Sequence, residues 1–240
     1  MNDVSAFATS GGLGEATAWL CLREDIYVSL VTQTPIRANL AAFQSATCIQ
    51  GDGDHAWANR MVLLLAELLS HAFTDAAHRD PLVDVTTRIK DWDMLKPLSF
   101  NPMYSLPRHA AAGRHLPEVW MLGAAHAIGL QYYHIAQLVL AVSARVPSSR
   151  PFEHIHEHRA VERQVRYHLL YVVGIAKFNE SVQNTWFTAH HCLVVWGGSL
   201  RKSGDQQACL EFLRRMESKT GWRVERLTQS LLSQWQDDSD

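Results

Sequence analysis

The stretch from Val119 to Val146 constrains this chain most. It is the longest apolar run in the sequence, yet it carries His126, Gln131, His134, Gln137 and Arg145. A bilayer-spanning helix of about 20 residues rarely holds that many polar groups, because each would lie unsatisfied in hydrocarbon. The run therefore reads as a core helix, Glu118 to about Ala144, opened by Pro117-Glu118 and apolar on nearly every side. A helix buried all round needs other helices to cover it. The expectation is an all-α fold of about eight helices packed around this one, with no membrane association.

The rest of the sequence supplies those helices. Trp19, Leu22, Ile26, Tyr27 and Leu30 step at three and four residues and predict a helix over about Glu15 to Val31, ended before Thr34-Pro35. After the turn Gln50 to Asp54, with Asp54 as the expected N-cap, Trp57, Met61, Leu64, Leu65 and Leu68 form a wide stripe. Asp80-Pro81 starts another helix, faced by Leu82, Val85, Ile89 and Trp92 and closed by Lys96-Pro97. Leu98 to Leu116 reads as one long irregular connection. Beyond a linker at Pro147 to Pro151, helices are predicted over Phe152–Phe178, Val182–Leu200, Asp205–Lys219 and Trp222–Trp235. No stretch alternates strictly enough to predict a strand. The domain reading is a mobile tail over 1–14 that lacks the features of a secretory signal, one helical domain over 15–236, and an acidic tail over 237–240.

Charge limits the function. Lys and Arg number 22 against 24 Asp and Glu, a net charge of −2. Phosphate neutralisation dominates duplex binding, and no basic stripe is present to supply it, so no direct nucleic-acid contact is expected. Cys21, Cys48, Cys192 and Cys209 form no CxxC pair. They are expected to be reduced, packed thiols rather than zinc ligands.

Several clusters have the composition of chemical sites. His154 and His158 lie four apart on a helix, but Glu157 precedes the last His, so the run is not HExxH. His126 and His134 are eight apart, two turns along one face, with Gln131 between them. Two aligned imidazoles in a core can bind a metal or ligand; more often they hold helices in register. His190 and His191 are adjacent and point about 100° apart, which disfavours a shared site. Arg23 falls close to the apolar stripe of the first helix, and beside Glu24 and Asp25 it predicts a buried or half-buried ion pair. Gly11 to Gly14 matches neither a phosphate-binding loop nor GxGxxG. No nucleophile, base and oxyanion site assemble, so no catalytic residue, metal or cofactor is expected. Arg23, Asp25, His126, Gln131 and His134 remain as buried polar or ligand-pocket candidates. A metal-dependent or small-molecule-binding helical enzyme using the histidines is the alternative.

A combination of segments carries a resemblance. These are Trp19-Leu20-Cys21-Leu22-Arg23-Glu24-Asp25-Ile26-Tyr27-Val28, Trp57-Ala58-Asn59-Arg60, Pro117-Glu118-Val119-Trp120-Met121-Leu122, Gly129-Leu130-Gln131-Tyr132-Tyr133-His134 and Thr220-Gly221-Trp222. In order and spacing, over roughly Glu15 to Trp235, the chain resembles the C-terminal regulatory domain of fungal zinc binuclear cluster transcription factors. The resemblance implies an all-helical domain controlling pathway-specific transcription, secondary metabolism included. It implies action through a protein partner (a transcription factor or co-regulator) or a small-molecule effector, in the nucleus or otherwise in the cytoplasm. The six-cysteine zinc cluster and basic linker that give that family its DNA contacts are missing from this sequence. The family supplies no catalytic residues.

Overall fold

The computed structural model describes residues 4–74, 79–143 and 151–237, without the side chains of 79–81 and 151–155. The Asp80-Pro81 cap, the linker over 147–150, the side chain of His154 and residues 238–240 of the acidic tail lie outside the described residues. The fold is all-α: 76% of it is helical, with nine helices and one small two-stranded sheet among the described residues.

Helix α1, Gly12–Thr32, buries Trp19, Leu22, Ile26, Tyr27 and Leu30 along the expected face. It ends where Gln33 turns left-handed (φ 54°) ahead of Pro35. A short α2, Leu40–Gln44, follows; it was not apparent in the sequence. Its cap is Asn39, whose side chain accepts from Ala41 N. Helix α3, Asp54–Ala72, is capped by Gly53 rather than Asp54, and runs buried from Met61 to Leu69. Helix α4, Arg79–Leu95, covers one side of it through Val85, Ile89 and Trp92.

The central helix differs from expectation at its start. It is α5, Ala124–Ser143, and the residues read as its first turn form a strand instead. Glu118–Trp120 (β2) pairs antiparallel with Tyr104–Leu106 (β1), Tyr104 lying opposite Trp120. Both strands are three residues long, too short for alternation to show in the sequence. Asn179 fixes the departure from helix: its Nδ2 donates to Val119 O at 2.8 Å, and its Oδ1 accepts from Met121 N at 2.9 Å. The long connection is therefore a hairpin, and α5 begins after Gly123.

Helix α5 packs against α3 on one side and against α6, Pro151–Phe178, on the other, with α4 and α7, Gln183–Trp196, at its flanks. Gly129 lets α3 and α5 approach: a Cβ there would stand 2.6 Å from Phe100 Cε1 and 3.4 Å from Ala58 Cα. Gly174 does the same for α6, where a Cβ would meet Pro117 O at 2.5 Å. Helices α8, Ser203–Thr220, and α9, Glu225–Asp237, complete the chain. Gly221 closes α8 in the left-handed conformation, and α9 docks through Leu231 and Trp235. One apolar core runs from α1 to α9, and Val119, Met121, Ala127, Leu130 and Ile175 form a small second cluster.

The expected mobile tail is structured from Val4. A 3-10 turn over Val4–Phe7 lies against α1, and Ser5 and Ala8 are buried. Ser5 Oγ accepts from Asn39 N at 2.9 Å, so small residues let this segment pass between α1 and α2. No helix among the described residues is long and apolar enough to cross a membrane.

Candidate functional site

The candidate polar residues do not form one site; each is engaged by its own partners. Arg23 is half-buried, but its partner is not an acid. Its Nη2 donates to Asn59 Oδ1 on α3 at 3.3 Å, and its buried Nε has no acceptor among the described residues. The predicted ion pair is thus a bond to a neutral amide, which avoids desolvating a second charge. Asp25 points elsewhere. Its Oδ2 accepts from Arg37 N at 2.7 Å and Ala38 N at 2.9 Å, tying the segment after α1 back onto that helix.

One turn on from Arg23, Tyr27 enters a chain of hydroxyls that sequence reasoning missed. Tyr132 OH donates to Tyr27 OH at 3.3 Å, and Tyr27 OH lies 2.8 Å from Thr188 Oγ1. Thr188 Oγ1 itself donates to Asn184 O. Each hydroxyl has one hydrogen, so Tyr27 must donate to Thr188, and the chain runs in one direction from α5 through α1 to α7. Burial raises both phenols above their ordinary range. His191 stacks on Tyr27 at 4.6 Å, and burial lowers it to about 4. Its neighbour His190 turns perpendicular and meets Trp222, as adjacent helical residues must.

Gln131, fully buried, joins three helices. Its Nε2 donates to Val172 O on α6 at 3.0 Å and to Thr185 O on α7 at 2.9 Å. Its Oε1 is buried without a partner among the described residues.

His126 and His134 are not brought together. Eight residues of helix separate them by about 12 Å, and each has its own partner. His126 Nε2 stands 2.9 Å from Asp54 Oδ2, close enough for an ion pair but off the line of a hydrogen bond. Its ring lies edge-on to Phe100. Ser99 Oγ donates to Asp54, and that bond, then His126, hold the carboxyl below its ordinary range. His134 Nδ1 lies 2.9 Å from His168 Nδ1 on α6, and its ring stacks on Tyr171 at 4.7 Å. Burial lowers the two to about 3 and about 4. Both imidazoles are neutral at pH 7, and one donates to the other.

Other predicted sites divide similarly. His156 and His158 are exposed, while His154 lies outside the described side chains. Among the described residues no group of three or more His, Cys, Asp and Glu is placed to hold a metal. Cys21 is exposed, contrary to the packed thiol expected, and Cys48 is half-buried. Burial raises the thiols of Cys48, Cys192 and Cys209, disfavouring the nucleophilic thiolate.

Two polar clusters carried no signal in the sequence. Asp205, buried at the start of α8, pairs with Arg108 and lies 3.0 Å from His115 Nδ1, both of the hairpin loop. Glu67, 5% exposed within α3, accepts from Gln44 Nε2 at 2.9 Å and Arg88 Nη1 at 2.6 Å. The partners are 21 to 97 residues apart in the chain, beyond any local spacing rule. Arg88, held by Glu67, borders a groove of about 600 Å³ between α3 and α4.

No protein-family model matches this chain, and no curated protein or solved structure matches it.

Proposed function

We propose that this chain is a regulatory domain of a transcription regulator. In this reading it controls pathway-specific gene expression, secondary metabolism included, through a protein partner. The observation that supports it is where the resembling segments fall. Arg23 of the first bonds Asn59 of the second; Tyr27 of the first meets Tyr132 of the fourth; Gly129 of the fourth lies against Ala58 of the second. In this reading the resembling segments owe their pattern to such contacts within the helical frame and not to catalytic chemistry. The net charge of −2 fits action through a partner better than action on phosphates. Placement in the nucleus follows from the resemblance.

Removing the chain from its own organism tests this. A coordinated change in a limited set of transcripts, restored when the chain is returned, is expected. An unchanged transcript profile under conditions where the chain is made would overturn the proposal.

A further inference from the structure

The groove between α3 and α4 has the size of a small-molecule site, about 600 Å³. Its floor is apolar and aromatic, with Leu63, Leu64, Trp57 and Trp92. What distinguishes it from a packing gap is how its walls are held. Arg60 on α3 donates from Nε to Ile49 O at 2.8 Å and from Nη2 to Gly51 O, fixing the turn at one end. Glu67 holds Gln44 of α2 and Arg88 of α4 through its two oxygens. Trp92 Nε1 donates to Trp57 O at 2.9 Å. Three separate segments are thus braced against α3 by hydrogen bonds that fix their spacing, and the space between them is preorganised.

We propose that this groove binds a flat, largely apolar small molecule bearing one acidic group. The half-buried indole of Trp57 offers aromatic surface to a flat ring system, with the buried indole of Trp92 packed beneath it. The acidic group is called for by Arg60. Its guanidinium lies 4.9 Å over the Trp57 ring, and with Nε and Nη2 engaged, Nη1 has no acceptor among the described residues. An anion there would gain a charge-assisted bond from a cation already held in place. Arg88 adds little, because the buried carboxylate of Glu67 neutralises it. Asp91 also lines the groove and disfavours a second acidic group near it, which gives the ligand one polar end.

Binding is read on the purified chain, so this site stands or falls independently of the regulatory function. The probe is 8-anilinonaphthalene-1-sulfonate, two aromatic ring systems and one sulfonate, titrated into the folded 240-residue chain by fluorescence and calorimetry. One saturable site is expected, with the indole N–H resonances of Trp57 and Trp92 shifting as it fills. Leu95 lines the groove and is 69% exposed, so Leu95→Glu leaves the fold intact. It is expected to weaken binding about tenfold or more, with unchanged circular dichroism. Leu232→Glu, on the exposed side of α9, is expected to leave binding unchanged. Absence of saturable binding, equal affinity in the wild type and Leu95→Glu, or equal weakening by Leu232→Glu would each overturn the site.

Discussion

At the scale of single residues, the interior is organised by polar side chains that sit among apolar ones. Gln131 and Asn179 each reach backbone carbonyls that helices or strands leave accessible, and each joins separate segments. Gln131 was legible in the sequence as a polar interruption of an apolar run. Its partners were not, because Val172 and Thr185 lie 41 and 54 residues away. The same holds for His134, whose partner is His168 rather than His126. This pairing has a measurable consequence. Both imidazoles are held below their ordinary value near 6.5 by burial, to about 3 and about 4. Between those values and 6.5 the unfolded chain binds protons that the folded chain does not. Stability is therefore full above about pH 6.5 and falls as the pH drops towards 4. The slope approaches at most about 1.4 kcal/mol per pH unit for each histidine, and less for the half-buried His168. Melting temperatures between pH 7 and 4 are expected to show the decline, and His168→Gln to make it shallower. A profile unchanged by that substitution would mean the pair does not titrate with unfolding.

At the scale of elements, helical periodicity made nearly all the helices visible. The apolar stripes of α1, α3 and α4 face the core as read, with Trp57 and Leu82 at its partly buried margin, and Gly221 ends α8 as expected. What escaped was short. Strands of three residues cannot display a period of two, and Pro117-Glu118 has the chemistry of a helix start although Asn179, far along the chain, holds it extended. Helix α2, at five residues, is likewise below the length at which periodicity is informative. Helix crossing is the property that sequence pattern conveys least, and at the α3–α5 crossing it depends on one glycine. Gly129→Ala should gain about 1 kcal/mol of helix propensity. The added methyl would strike the ring of Phe100, and such overpacking costs about 1–3 kcal/mol. A net loss of up to about 2 kcal/mol is expected, read as a lower denaturant midpoint with an unchanged slope. A stabilised variant would show that Phe100 moves aside without cost.

At the scale of the whole molecule, nine helices share one core from α1 to α9 among the described residues. Arg23, Asn59, Tyr27 and Tyr132 of the resembling segments bond one another across that frame, while Trp57 and Arg60 line the groove between α3 and α4. Imidazoles and hydroxyls pair with one another across helices, and three of the four thiols are raised away from reactivity. These pairings tie the helices to one another. Whether the chain acts on transcription, as proposed, is tested most directly by tethering. The chain is fused to a heterologous DNA-binding module in a fungal reporter strain, and reporter transcript is measured against the module alone at matched protein levels. Reporter output is expected to change several-fold, and the change to be lost when Tyr132→Ala breaks the chain of hydroxyls joining α5, α1 and α7. Output indistinguishable from the module alone would contradict the claim.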